Sequence, residues 1–200
     1  MFKFAFVLYE LFWLAVLGLV LKRSLKNWGL KKTAIFFIPA IVFGFLLEWT
    51  TQTVFERYHY GEGFLAYLLN VPISVSITWG TLMYLGFVFT KEKILIQKPM
   101  KVSAVAAAFL VLADFFHFEP FAKTFGFWAW TPEGLWFGAP LNNFYGWFWV
   151  GFLFLSAFQL IDSKKWDFKK KAAAMLLSVP VQVLALTLLL KLFSAVFGKI

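Results

Sequence analysis

The sequence predicts an all-α polytopic membrane protein: a single integral domain over residues 1–200, built as a six-transmembrane-helix bundle with an aromatic outer loop. Three observations lead there. Hydrophobic residues make up 62% of the chain and charged residues 14%, against roughly 45–50% and about 25% in soluble domains. The apolar residues fall in continuous runs, not in the alternation of a membrane β-barrel. The basic residues cluster between those runs. Disorder is excluded by the apolar excess, and a disulfide scaffold by the absence of cysteine. The net charge of +9 is accounted for by the basic clusters that membrane proteins keep in their loops, so no nucleic-acid partner is expected.

A helix needs about 20 residues to cross the hydrocarbon core. Six stretches meet this, at 3–21, 33–56, 64–90, 102–118, 143–161 and 172–197. The first is too long for a signal peptide and lacks a small-residue cleavage site, so it reads as a mature helix. Pro39, Pro72 and Pro180 lie within or near helix ends, where a bundle tolerates them. No internal repeat or domain linker is visible.

Fourteen of the 19 basic residues fall in alternate connections: Lys22, Arg23, Lys26, Lys31 and Lys32; Lys91, Lys93, Lys98 and Lys101; and Lys164, Lys165, Lys169, Lys170 and Lys171. Lys3, Arg57, Lys123, Lys191 and Lys199 fall on the other side. The positive-inside rule puts the fourteen in the cytoplasm and both termini outside the inner membrane. On the outer side, residues 56–63 make a short polar-aromatic connection, and residues 119–142 a long one rich in Trp and Phe. That length suits a lid or binding loop, here a cap over a lipid-facing pocket, and the aromatic content equally suits a belt at the headgroups.

Charged groups inside a bilayer cost about 2.5–3.5 kcal/mol each on insertion scales, and so point to function. Glu10, Glu48 and Asp114 lie inside the apolar runs, with His117 one turn after Asp114. At about 1.5 Å per residue from the basic boundary, Glu48 sits about 25 Å and Asp114 about 20 Å deep, in the outer half of the core. Glu119, Asn142 and Asn143 sit at the outer rim. Helical spacing puts Glu48, Gln52 and Glu56 on one face, Asn70, Ser74 and Thr78 on another, and Asp114 with His117 on a third. The Ser/Thr/Asn stripe reads as interhelical hydrogen bonding. Glu48 and Asp114 read as a site. A metal site of Glu48, Asp114 and His117 is the weaker alternative, and no phosphate-binding glycine motif, nucleophile elbow or Asp-x-x-x-Asp pair is present.

Two blocks carry a family resemblance. The first is Glu48, Phe55-Glu56-Arg57-Tyr58-His59-Tyr60, Val71-Pro72-Ile73 and Trp79. The second is Asp114, Glu119-Pro120, Trp128-Ala129-Trp130, Gly138-Ala139-Pro140 and Asn143-Phe144-Tyr145-Gly146-Trp147. Across residues 44–150, their order and spacing resemble the carotenoid biosynthesis protein family, which includes membrane carotenoid hydratases of the gamma-carotene and bacterioruberin pathways. Glu56 stands where that family often has Gly. Asp114, Trp128, Pro132-Glu133 and Pro140 more faintly resemble the small membrane lycopene cyclases, but Pro140-Leu141-Asn142-Asn143 lacks the glutamates of their Pro-x-Glu-Glu motif.

The resemblance implies addition of water to the terminal C=C of an acyclic carotenoid end group. Such chemistry needs an acid to protonate an unactivated alkene, a carboxylate to stabilise the cation and deprotonate water, and aromatic faces around the positive charge. It needs neither metal nor redox cofactor. The candidate catalytic residues are Glu48, Asp114, Glu119 and Asn143. The candidate substrate-binding residues are Tyr58, Tyr60, Trp79, His117, Trp128, Trp130 and Trp147. The expected partners are a carotenoid or other long isoprenoid lipid and membrane lipids, with a homo-oligomer or a larger membrane complex also open. A non-catalytic pigment-binding protein or accessory subunit is the alternative function, and a cyclase-like enzyme a further one.

Overall fold

The computed structural model describes residues 3–197; Lys199, one of the outer basic residues expected from sequence, lies outside them. Among the described residues, five helices are long and apolar enough to cross a membrane. The first, α1 (Lys3–Val54), takes in two of the expected segments and the basic connection between them. That connection is helical, not a loop, except at Gly29, whose φ of 73° and ψ of 170° break the helix. A side chain there would be strained, and glycine is free to adopt this conformation. Ser24 and Thr33, on either side of Gly29, share a buried hydrogen bond of 2.8 Å. In a straight helix nine residues would separate them by about 13.5 Å. The chain therefore doubles back at Gly29, and one glycine does the work expected of an eleven-residue loop.

After α1 come the strand β1 (Tyr58–Tyr60) and the hairpin β2–β3 (Tyr67–Leu68, Val71–Pro72). Helix α2 follows at Ile73–Glu92. The expected helix start at residue 64 is therefore nine residues early. Leu69 and Asn70 both have positive φ, so Asn70 leaves the expected stripe. Ser74 and Thr78 stay in α2, where the Thr78 hydroxyl donates to the Ser74 carbonyl at 2.8 Å. Glu56, with φ 48°, also lies beyond its helix and is exposed, so it does not continue the Glu48–Gln52 face.

The next span is a continuous rod of α3 (Pro99–Ala113), a π-helical turn (Asp114–Phe118) and α4 (Glu119–Phe125). It runs seven residues past its expected end, so the outer loop shrinks to residues 126–140. Within it, strand β4 (Trp128–Trp130) pairs antiparallel with β1. Helices α5 (Leu141–Asp162) and α6 (Phe168–Phe197) follow, the last elements of the described residues.

Three ion pairs tie the basic connections together at one end: Arg23 to Glu92, and Lys32 and Lys171 both to Asp162, at 2.6 and 3.6 Å. At the opposite end, Phe6 near the start of α1 packs edge-on against Phe64 and Phe127 of the two connections. Glu10 there accepts a 2.7 Å bond from the Leu65 amide. Glu10 is thus committed to holding the 61–72 segment down.

The core between these ends is aromatic, centred on Phe36, Phe43, Tyr84, Phe154 and Phe158, all buried. Close approach of α1 and α2 depends on Gly44. A Cβ at that position would stand 2.8 Å from Cβ and Cδ1 of Trp79. Gly44→Ala should therefore destabilise the protein by about 1–3 kcal/mol, the usual cost of overpacking, read as a lowered Tm in detergent. An unchanged Tm would show that α1 and α2 can separate freely here.

Candidate active site

A cavity of about 410 Å³ lies between the second half of α1, α2, α5 and α6, under the β1–β4 pair. Its roof is read directly from two short sequences, Tyr58-His59-Tyr60 and Trp128-Ala129-Trp130. Side chains two apart on a strand share a face. The register sets Tyr58 opposite Trp130 and Tyr60 opposite Trp128. Four aromatic rings, each with one polar hydrogen, therefore project from one small sheet.

The two phenols go to one carboxyl group. Tyr60 donates to Glu48 Oε2 at 2.9 Å, and Tyr58 donates to the same oxygen. The other oxygen, Oε1, accepts the Trp79 indole N–H at 2.7 Å. Burial, with the Glu48 carboxylate beside it, pushes the Tyr60 phenol well above its ordinary pKa, so it remains a neutral donor.

The two indoles go to a second carboxyl group. Trp130 and Trp128 donate to Glu119 Oε2 at 2.9 and 3.2 Å. The Asn143 amide, from the first turn of α5, donates to Glu119 Oε1 at 3.0 Å and to Asp114 Oδ2 at 2.6 Å. The π-turn makes this possible. The Glu119 amide bonds to the Asp114 carbonyl five residues back, a wider turn than the α-helical four. Asp114 and Glu119, five apart, thus come round to the same side. Both are buried, and Asp114 Oδ1 has no hydrogen-bond partner.

The side walls are apolar and aromatic. Trp79 and Trp147 lie with ring centroids 4.2 Å apart, and Phe118 packs on Trp147 at 5.4 Å. Of the residues singled out from sequence, Glu48, Glu119, Asn143, Tyr58, Tyr60, Trp79, Trp128, Trp130 and Trp147 line the cavity. Asp114 stands directly behind Glu119 and Asn143. His117 does not join them. The wider turn carries it away from the Asp114 side, where its ring stacks on Tyr9 at 6.5 Å and touches Phe121 at 4.6 Å. Its Nε2 is buried and without a partner. Among the described residues no three of His, Cys, Asp and Glu converge as metal ligands, so the Glu48–Asp114–His117 metal alternative has no geometric basis.

Sequence reading passed over several lining residues: Tyr9, Asn142, Arg57, Lys191 and Ser194. Asn142 was noted only for its place at the rim. Tyr9 carries no local signal, because nothing in its neighbourhood tells a cavity-facing phenol from a packed one. Arg57 stands out as the outer basic residue inside the first aromatic block, whereas Lys191, far along the chain, carries no such signal.

The chain matches the model of the carotenoid biosynthesis protein family over residues 5–200, well beyond the 44–150 stretch whose motifs carry the resemblance. Comparison with curated proteins and with solved structures gives no match. The match spans nearly every element described above, including α6, which the motifs do not reach, and it supports a role in carotenoid biosynthesis, with an isoprenoid lipid as the implied substrate. The chain belongs to the carotenoid biosynthesis protein family.

Proposed function

We propose that the protein is a carotenoid hydratase, adding water to the terminal C=C of an acyclic carotenoid end group inside the membrane. One observation carries this reading: a single apolar cavity holds two carboxyl groups with separate hydrogen-bond sets, Glu48 on one wall and the Asn143-linked Glu119–Asp114 pair on another. Glu48 and Glu119 each accept from three donors, so the difference lies in their neighbours: Glu119 is joined through Asn143 to a second buried carboxyl group, and two neighbouring carboxyl groups favour keeping a proton between them. Glu48, with no such partner, is placed to stabilise a cation and to take a proton from water. In the opposing pair, two carboxyl groups share one amide, and Asp114 Oδ1 is left free to hold a hydrogen. That pair is placed to supply the proton, through Glu119, which faces the cavity.

The step balances as follows. The Glu119 O–H protonates the less substituted alkene carbon, leaving a tertiary cation at the other. Water adds there, and its surplus proton passes to Glu48. Return of that proton to Glu119 resets the site with no net oxidation. Trp79, Trp147, Trp128 and Trp130 present π faces and edges around the cation. Asn143 and the indoles orient Glu119. Expression in a lycopene-producing host, followed by mass analysis of the pigment, tests the reading. The expected product is heavier by one water for each modified end. Unmodified pigment from a well-expressed protein would overturn it.

The same reading includes the topology. The two arms of α1 on either side of Gly29 act as separate spans. Together with α2, the α3–α4 rod, α5 and α6, they make six crossings, with both termini on the outer side of the inner membrane. Reporter fusions at residues 27, 96 and 166 should read cytoplasmic, because these positions lie in the three basic connections. An extracytoplasmic signal at any two would reverse the orientation and place the cavity at the cytoplasmic face.

A further inference from the structure

We infer that the cavity opens sideways into the lipid, between the C-terminal ends of α1 and α6, and takes the isoprenoid chain end-first through that gap. The inference rests on the lipid-substrate reading above, but not on hydration. Three observations converge on it.

The first is where the cavity is open. Among the residues that line it, only Val54 and Lys191 are exposed, Val54 at 60%. One is the last residue of α1, and the other lies in the last turns of α6. Every other lining side chain is partly or fully buried. The mouth is therefore at this edge and not through the β1–β4 roof, where Tyr58, Tyr60, Trp128 and Trp130 are tied to the carboxyl groups beneath.

The second is why a gap exists there. The buried residues of α6 are Met175, Val179, Gln182 and Leu186, a stripe with helical spacing that stops at Leu186. The last buried residue of α1 is Glu48. Neither helix has a fully buried residue beyond the level of the cavity; the final turns of α6 lean on α5, where Phe193 lies 4.5 Å from Tyr145, and among the described residues the side of α6 toward the end of α1 has no such packing pair. The gap is bordered by Thr51, Val54 and Phe55 on one side and by Leu190, Lys191 and Ser194 on the other.

The third is size and chemistry. A cavity of about 410 Å³ falls at the small end of the range for ligand pockets, roughly 300–1,000 Å³. A rigid polyene of some 30 Å, the thickness of the hydrocarbon core, does not fit within it. An end group does. Leu186, Leu190, Val54 and Phe55 offer an apolar path for the chain that stays in lipid. Lys191 has a long aliphatic stem that can lie along this path while its ammonium reaches the headgroups. The portal then lies just beneath the headgroup level, within reach of a polyene lying in the bilayer.

The absence of cysteine makes a direct test possible. Ser194→Cys places one thiol at the portal, and Leu188→Cys places one on the exposed, lipid-facing side of the same helix. Each variant is reconstituted in vesicles with and without lycopene and treated with a bulky maleimide. Lycopene should slow labelling of the Ser194→Cys protein at least several-fold and leave the Leu188→Cys protein unchanged. The Ser194 adduct should also lose pigment conversion, while the Leu188 adduct retains it. Protection without any conversion by the unmodified protein would keep the portal and overturn the hydratase reading. Conversion that survives the Ser194 adduct, with labelling indifferent to lycopene, would overturn the portal and keep the hydratase. Equal slowing by pigment-free vesicles of longer-chain phospholipid would show an acyl chain as the occupant and overturn the isoprenoid assignment.

Discussion

Glu48→Gln should lose pigment hydration by about 10²–10⁴-fold, the range that general acid–base assistance supplies. The loss should fall at the upper end, because an unactivated alkene offers no other route once the cation cannot be stabilised and the water cannot be deprotonated. The change also has a structural cost that can be calculated in direction. Glu48 uses Oε1 for Trp79 and Oε2 for both phenols. A glutamine has only one acceptor oxygen, so in either orientation its NH₂ meets at least one N–H or O–H donor. A buried donor left without a partner costs about 1–3 kcal/mol. Tyr58→Phe combined with Glu48→Gln removes one of the two phenolic donors to Oε2 and should recover part of that stability without recovering turnover. Product yield and Tm measured on the same three proteins separate the effects. Full recovery of yield in the double variant would make Glu48 a structural acceptor only.

The parts of this site that were legible from sequence are those where charge interrupts an apolar run. Glu48 and Asp114 stand out because each would be costly without a purpose, Glu119 stands out at the rim through the acidic-Pro motif, and all three are buried at or directly behind the cavity. The aromatic pairs Tyr58/Tyr60 and Trp128/Trp130 were visible as residues, but their pairing was not. The β1–β4 contact joins positions some 70 residues apart, and hydropathy says nothing about such partners. The π-turn at Asp114–Phe118 was also invisible. It changes helical register by one residue with no change in composition, and that one residue moves His117 away from Asp114 and brings Glu119 in. Segment ends failed for a different reason. Leu65, Leu68 and Leu69 extend the apolar run ahead of α2, yet they lie in the hairpin or just before it with more than half of their surface exposed. Apolar content alone does not tell a crossing helix from a hairpin that presents leucines to lipid. At Gly29 the reverse holds: an expected loop is reduced to one residue, because glycine alone can reverse the chain between two helices.

Glu119→Gln should be as damaging to turnover as Glu48→Gln, and Asp114→Asn markedly less so. Of the two linked carboxyl groups, only Glu119 lines the cavity; Asp114 reaches it through Asn143. An amide at 119 retains the length and can still accept from the indoles, but it delivers no proton to the alkene, so a loss of about 10²–10⁴-fold is expected. An amide at 114 removes the second carboxyl group and weakens one charge-assisted bond to Asn143. Such a bond is worth roughly 1.5–3 kcal/mol, so conversion should fall by about ten- to a hundredfold. Asn143→Leu cuts both links at once and leaves the two carboxyl groups facing an apolar side chain. Its turnover should fall below that of Asp114→Asn, and its Tm should drop as well. The three variants are compared by pigment conversion in one lycopene-producing host, with pigment retention by the purified proteins as the control for binding. If Asp114→Asn is the inactive protein and Glu119→Gln the impaired one, the proton comes from Asp114 and Glu119 only positions it. If both retain full conversion, the pair is a structural clamp that joins the α3–α4 rod to α5, and neither carboxyl group supplies the proton.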